Sequence, residues 1–317
     1  MRAEASLYRS VIVAMASKTI TANCNTNGQI SAASSNTNIA TVSVNNKTIT
    51  VNPTGGGSCT VTVSAGNDPN YTTPQPVTCN VTVKTKAMYN GLDIQEIVRA
   101  GKGSSMLAVG DRWPVKMKGK VGNVDIYERV YYVCLIGLNH NTTIETYGKF
   151  NAHFKFPYDS DGKQLAFDCF PLNTTNTTPN GWPYCTGCSE IMQEFKVLLP
   201  LEWLNAISSV HKICMYDTTP VDMFDDLWPL SPWEVFGRNP YNEGEGEWCQ
   251  QYQYYKNGNS FVHYVWPRSN VRPGEISWVW TRSQTGDRFV VISGDGMNLR
   301  PAVPSEQLGF APAFSIH

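Results

Sequence analysis

Between Lys18 and Lys84 the chain carries only two charged residues, Lys47 and Asp68, in a background of Thr, Asn, Ser, Val and Gly. A stretch so poor in ion pairs and in long helix-forming side chains has sheet as its natural outlet. Apolar residues recur at every second position in Thr48-Ile49-Thr50-Val51, in Cys59-Thr60-Val61-Thr62-Val63 and in Cys79-Asn80-Val81-Thr82-Val83. Period two places side chains of one parity on one face, so each run reads as a strand with one buried side. Turn formers separate the runs: Asn45-Asn46, Pro53-Thr54-Gly55-Gly56-Gly57 and Asp68-Pro69-Asn70. Short strands at this spacing predict a small all-β sandwich over residues 18–86.

The remainder of the 317-residue chain is long enough for a second, larger domain, over residues 87–317. The net charge of −1 supplies no electrostatic attraction for nucleic acid, so a DNA- or RNA-binding role is not expected. No apolar run approaches the roughly 18 residues of a membrane span, so membrane insertion is not expected either. Residues 1–17 hold one apolar patch, Val11 to Ala16 after Arg9; it is short for a signal peptide, and the segment reads as a linker or N-terminal extension. Nine cysteines spread along the chain do not form the dense framework of a small secreted scaffold.

Past Met88 the pattern is mixed. Asp93-Ile94-Gln95-Glu96 has the shape of a capping box, with Ile94, Ile97 and Val98 on one helical face and Gly101 as the stop. Strand-like runs cover Met106 to Val109 and Tyr131 to Leu138. Asn139 to Trp182 reads as loop-rich, with an exposed excursion over 173–181. A helical region from Ser189 to Ser209 is split by Pro200. Trp-bearing strands follow, so a helix-flanked antiparallel sheet is expected. The last strands are the densest: Ile276-Ser277-Trp278-Val279-Trp280-Thr281-Arg282-Ser283, a polar loop, then Phe289-Val290-Val291-Ile292 and a turn at Gly294, Asp295 and Gly296.

Two resemblances add to this reading. Asn38-Ile39-Ala40-Thr41-Val42-Ser43-Val44, Thr48-Ile49-Thr50-Val51-Asn52-Pro53, Gly57-Ser58-Cys59-Thr60-Val61-Thr62-Val63 and Asn70-Tyr71 resemble bacterial immunoglobulin-like domains, which implies a spacer. The larger region carries Ile97-Val98-Arg99-Ala100-Gly101-Lys102, Val109-Gly110-Asp111-Arg112 and Leu227-Trp228-Pro229-Leu230. It continues with Glu234-Val235-Phe236-Gly237, Glu245-Gly246-Glu247, Trp280-Thr281-Arg282-Ser283 and Gly309-Phe310-Ala311-Pro312-Ala313-Phe314. These resemble α+β C-type-lectin-like domains related to formylglycine-generating enzymes, the fold of variable proteins made by diversity-generating retroelements. That likeness implies a phage virion receptor-binding protein at a tail fibre or tip, attaching to a host bacterial surface receptor, protein or glycan, beside other virion tail proteins. A homo-oligomer such as a trimer would multiply weak sites. A bacterial surface adhesin of the same architecture is the alternative, and a metal-dependent enzyme derived from the same fold is a third.

The likeness places ligand contacts on the C-terminal strands and loops. Gln284, Thr285, Asp287, Arg288, Phe289, Asn298 and Arg300 mix hydrogen-bonding groups, charges and an aromatic anchor, as recognition surfaces do; Trp278 and Tyr264 are further candidates. Arg282 is expected to be structural. Cys185-Thr186-Gly187-Cys188 has metal-knuckle spacing, with Cys169, Cys214 or His211 as the remaining donors for zinc; a disulfide and two thiols are the other readings. Glu243, Glu245 and Glu247 read as a solvated acidic loop that could ligate a cation. No cofactor motif and no catalytic residue is expected: the formylglycine-generating cysteine pair is missing, since Cys249 alone lies in that region, and the five histidines are scattered with no triad-like neighbours.

Overall fold

The computed structural model describes residues 5–6, 10–13, 17–25, 27–145, 150–176, 181–216, 219–261, 264–266, 278–293 and 298–317, with backbone alone for 5–6, 10–13, 168–169 and 264–266. The chain is predominantly strand and divides into two compact units, Met1–Tyr89 and Asn90–His317.

In the first unit the alternating runs become strands with the alternating side chains inside. Cys59, Val61 and Val63 from Gly57–Ala65, Cys79, Val81 and Val83 from Val77–Val83, and Ile49 and Val51 from Thr48–Pro53 share one core with Ile20, Ile30 and Ala40. That core draws on two sheets. One is four-stranded, in the order Ser10–Val13, Val77–Val83, Gly57–Ala65, Ile30–Ser34; the other is three-stranded, in the order Lys18–Thr21, Thr48–Pro53, Ala40–Asn45. Within 1–17, read as a linker or N-terminal extension, two backbone stretches pair with the sandwich: Ala5–Ser6 antiparallel with Asn23–Cys24, and Ser10–Val13 in parallel with Asn80 to Val83. Val11-Ile12-Val13 is a β-branched run, which suits an edge strand.

The second unit opens on the helix Gly91–Arg99, which buries Ile94, Ile97 and Val98. Its capping box is formed by Asn90 and Asp93, three residues earlier than the sequence pattern suggests. A five-stranded sheet runs in the order Arg112–Val121, Val124–Leu138, Ala152–Tyr158, Pro312–Ile316, Leu227–Pro229. A six-stranded sheet runs in the order Tyr264–Trp266, Leu165–Phe170, Leu308–Phe310, Trp278–Thr285, Arg288–Ser293, Leu299–Ala302. The hairpin Val210–Tyr216/Thr219–Asp225 pairs with neither sheet.

Three expectations are corrected. Residues 139–182 hold two strands, Ala152–Tyr158 and Leu165–Phe170, where loop was expected. Every residue of Ala152–Tyr158 is buried, so no alternation advertised it. Met106 ends a short helix, Gly103–Met106, rather than beginning a strand. The six-stranded sheet is mixed, because Leu165–Phe170 runs parallel to Tyr264–Trp266 and Trp278–Thr285 parallel to Leu308–Phe310. Pro200 does divide its helical region, standing at the N-cap of Leu201–Leu204. The turn at Gly294, Asp295 and Gly296, and residues 177–180 of the expected excursion, lie outside the described residues. One core cluster takes Cys134, Ile136, Tyr158, Trp228 and Ala313 from the first sheet and Ala166, Val279 and Ile292 from the second. The strand Trp278–Thr285 is thereby fixed against the body of the unit, and its far end emerges as a hairpin.

A candidate ligand cleft and the buried ion network that holds it

Trp278–Thr285 and Arg288–Ser293 pair in antiparallel register, with Thr285 opposite Arg288. The two-residue loop begins at Gly286, whose φ of +58° suits a residue without Cβ. At this end of the hairpin an open cleft of about 430 Å³ is lined by Gln284, Thr285 and Gly286 and by Met215 and Pro220 of the neighbouring hairpin. The opposite wall is Tyr241, Asn242, Glu243, Gly244, Glu247 and Trp248.

That wall is built by the short 3-10 turn Glu243–Glu247. Its middle carboxylate points inward: Glu245 is fully buried, and Ser283 Oγ lies 2.6 and 2.7 Å from its two oxygens. Asn239 Nδ2 donates to Glu245 at 3.1 Å, and Asn242 Nδ2 donates to the Gln284 carbonyl at 3.1 Å. Gly246 allows the turn to approach the Trp233 ring, since a Cβ there would sit 2.5 Å from a ring atom. Glu243 and Glu247 remain exposed on the cleft rim. The expectation of a solvated acidic loop is therefore corrected for Glu245 alone.

Behind the turn lies a network of buried charges. Lys212 Nζ sits 2.8 Å from a carboxylate oxygen of Glu145 and 2.8 Å from one of Glu234. Glu234 also receives the Arg282 guanidinium and the Ser231 backbone N–H, which makes it at once the helix cap of Pro232–Phe236 and the junction of the network. Arg282 donates further to the Pro229 carbonyl at 3.4 Å and faces Cys249 Sγ at 3.3 Å. Burial presses the Glu234 carboxyl upward, but Arg282 and Lys212 together outweigh it and hold it down at about 2. Burial raises Glu145 against the pull of Lys212, and raises Glu245 likewise. Burial, reinforced by the Lys212 charge, lowers His140 to about 3 and His153 well below its ordinary value. Both imidazoles are thus neutral near pH 7; His153 Nδ1 lies 2.8 Å from the Tyr252 hydroxyl, and His140 stacks on the Tyr252 ring at 3.8 Å.

His140, Glu145 and Glu234 bring donor atoms within 4.8 Å of one another, a spacing compatible with a metal ion. The chain already supplies the cation there, because the Lys212 ammonium bridges the two carboxylates. Around Cys185 and Cys188 no set of three donors converges among the described residues. The two cysteines are not bonded to each other, and Cys188 Sγ lies 3.6 Å from Asp225 Oδ1. Burial raises the Cys185 thiol to about 12 and Cys188 higher still; the side chain of Cys169, one of the donors expected for zinc, lies outside the described residues. His211 is engaged elsewhere, with Ile144 O at 2.8 Å and Asp222 Oδ1 at 2.6 Å.

The candidate residues fall in different places. Thr285 and Gln284 line the cleft, yet Gln284 is buried and its Nε2 donates to the Gly286 carbonyl at 2.8 Å. Phe289 is wholly buried in the sheet. The expectation that these two display side chains to a ligand is corrected: both strands of the hairpin are buried on both faces up to their outer ends, so neither parity is open to a ligand there. Asp287 and Arg288 are exposed at the tip, with side chains 72% and 52% accessible, and Asn298 is exposed as well. Trp278 and Arg300 engage each other, the guanidinium lying 4.8 Å above the indole while it also pairs with Glu306 at 2.7 Å. They form a brace away from the cleft. The side chain of Tyr264 lies outside the described residues. Arg282 is structural, as expected, though its partners belong to residues 229–249 rather than to the terminal strands. The cleft residues absent from the sequence-based set are Met215, Pro220, Tyr241, Asn242, Gly244, Trp248 and Gly286, and Glu243 and Glu247 were read there only as a charged loop; the one available signal was the run of acids and aromatics over 241–248.

No protein-family model matches the chain, and no curated protein matches it. Among solved structures, domains 5–6 of the S-layer protein SbsC align over 97% of this chain and 98% of their own, at 11% identity and a TM-score of 0.20. Invasin, a bacterial integrin-binding protein, aligns over 99% of this chain and 79% of its own, at 13% identity and a TM-score of 0.18. At those scores neither alignment carries an argument about this chain. Among the described residues no helix is long and apolar enough to cross a membrane.

Proposed function

We propose that this chain is a non-enzymatic attachment protein. An immunoglobulin-like spacer over residues 18–86 presents a C-type-lectin-like head over 87–317, and the head captures a surface molecule, protein or glycan, in the cleft beside Thr285. The observation that carries this reading is the contrast between interior and cleft. Glu145, Glu234, Glu245, Lys212, Arg282, His140 and His153, the charged and imidazole groups of the interior, are sealed inside: Lys212 and Arg282 pair with Glu145 and Glu234, Ser283 and Asn239 hold Glu245, and both histidines contact Tyr252. The surface left open is a concave mixture of rings, an amide and carboxylates, which suits non-covalent capture. Single sites of this size bind weakly, so a homo-oligomer, a trimer for instance, would supply avidity.

Display at a bacterial surface, as an adhesin, is the setting we favour. Display on a phage tail, with other virion proteins as neighbours, is the second reading. The exposure of Asp287, Arg288 and Asn298 favours it, since side chains free of internal duties are those that can be diversified without loss of fold. The test is to present the intact chain to arrays of bacterial surface glycans and envelope proteins. Reversible, saturable binding with the ligand recovered chemically unchanged is the expected result. Turnover of the bound ligand contradicts the reading.

A further inference from the structure

We infer that the cleft selects an organic cation, a primary ammonium or guanidinium group carried on the ligand, with Glu243 and Glu247 as its specificity-determining carboxylates. The inference rests on the cleft being the ligand site and adds the chemistry that it recognises.

The lining is asymmetric in charge. Among the described residues Glu243 and Glu247 are the carboxylates lining the cleft, and no lysine or arginine lines it. Neither carboxylate has an ion-pair partner among the described residues, whereas Glu245 between them is consumed by Ser283 and Asn239. The turn therefore directs one acid inward for structure and two outward with their charge uncompensated. Tyr241 and Trp248 stand in the same wall, and aromatic faces attract cations through the ring quadrupole. Carboxylates beside aromatic rings form a cage for a desolvated ammonium or a stacked guanidinium. The aromatic faces and the Met215 and Pro220 side chains in the lining suit the soft, partly apolar surface of an organic cation better than a calcium ion, which takes about six to eight oxygen ligands. A cleft of about 430 Å³ instead matches a group the size of a side chain or a single sugar. The cation can arrive on a lysine or arginine side chain or on an amino sugar; the chemistry recognised is the same.

The experiment is an NMR titration of the intact chain, following the Trp248 indole N–H identified with Trp248→Phe. The probes are Nα-acetyl-lysine methylamide, Nα-acetyl-arginine methylamide and glucosamine. Each is paired with a neutral counterpart: the Nε-acetylated lysine, the citrulline derivative and N-acetylglucosamine. The expected result is that at least one cationic probe shifts Trp248 at millimolar concentration while its neutral counterpart does not; which one responds separates a peptide from a sugar source. Glu243→Gln combined with Glu247→Gln should weaken that probe by at least about fivefold, and added salt should weaken it too. Because both glutamates are exposed and unpaired, the double variant should unfold at the same temperature as the parent. Equal shifts with charged and neutral probes overturn the charge selection and leave the cleft as a binding site. Silence of Trp248 to every probe overturns the inference, and the array experiment then decides the attachment reading on its own.

Discussion

The Ser283 hydroxyl lies 2.6 and 2.7 Å from the two carboxylate oxygens of Glu245, with both residues fully buried. This bond ties the strand that ends in the cleft hairpin to the turn that forms the opposite wall. Replacing Ser283 with Ala leaves the buried carboxylate with Asn239 as its remaining side-chain donor. A loss of about 1–3 kcal/mol is expected, the range for stranding one partner of a buried hydrogen bond. Urea unfolding at pH 7 measures it, and an unchanged midpoint would show that the two walls are not coupled here.

Acid should reveal the Glu234 junction. Its folded-state carboxyl lies at about 2, below the ordinary carboxylate value, under the charges of Arg282 and Lys212. A depressed carboxyl contributes stability that is present above its unfolded pKa and disappears as pH falls toward the folded one. Stability should therefore decline between about pH 4.5 and 2 on this account. Glu145 and Glu245, raised by burial, act in the opposite sense, since their protonation favours the folded state. Urea titrations of the parent and Glu234→Gln across pH 2–7 separate the contributions: the variant should be less stable at pH 7 and should lose less on acidification. Parallel profiles for the two proteins would contradict the assignment.

Gly246 has a steric reason for being glycine. A Cβ at this position would fall 2.5 Å from the Trp233 ring, and that ring's indole N–H donates to the Asn242 carbonyl at 3.2 Å. Gly246→Ala should cost about 1–3 kcal/mol through this clash. It should also disturb the cleft wall, visible as a shift of the Trp233 indole resonance. A variant as stable as the parent would show that the turn can retreat freely.

Lys155 is fully buried, donating to the Phe261 carbonyl at 3.2 Å with its ammonium nitrogen 3.4 Å from the centre of the Phe261 ring. No carboxylate among the described residues pairs with it, and burial pushes its pKa well below the ordinary lysine value. A base depressed in this way gains folded-state stability above its unfolded pKa near 10.4 and loses it as pH falls, so it is a liability at pH 7. Lys155→Met should stabilise the protein at pH 7, on the order of 1–3 kcal/mol, and flatten the alkaline side of the stability profile. Destabilisation of similar size would mean that the amine has a partner it depends on.

The first unit was legible because its strands bury one face only. Ile49, Val51, Val61 and Val81 alternate with Thr and Asn, and the core takes the alternating set. Ala152–Tyr158 was illegible for the converse reason: buried throughout, it carries His153 and Lys155 where alternation would place nothing polar. The ion network was equally hidden, because Glu145, Lys212, Glu234 and Arg282 are far apart in sequence and come from a bend, a hairpin strand, a short helix and a sheet strand that only the tertiary packing brings together. Arg282 was marked as structural, though its partner was not foreseen. For the cleft, the Thr285 end of the hairpin was anticipated from family likeness, while Glu243 and Glu247 were seen only as a charged run. What distinguished them from Glu245 was the inward donor, Ser283, and no spacing rule exposes that. Phe289 and Gln284 were misjudged as displayed because their polar or aromatic identity does not reveal that this hairpin is covered on both faces.

On the proposed function, ligand enters between Thr285 and the Tyr241–Trp248 wall. The most direct measurement compares the parent with Thr285→Trp, which fills the cleft from a half-buried position at the strand end without touching the buried network. Both proteins are presented to whatever glycan or envelope protein the parent retains on an array. The variant should remain folded, with thermal unfolding within a few degrees of the parent, and should lose at least about tenfold in affinity, roughly 1.4 kcal/mol. Undiminished binding by a folded Thr285→Trp protein would contradict this reading, and would move the ligand site to another surface of the head.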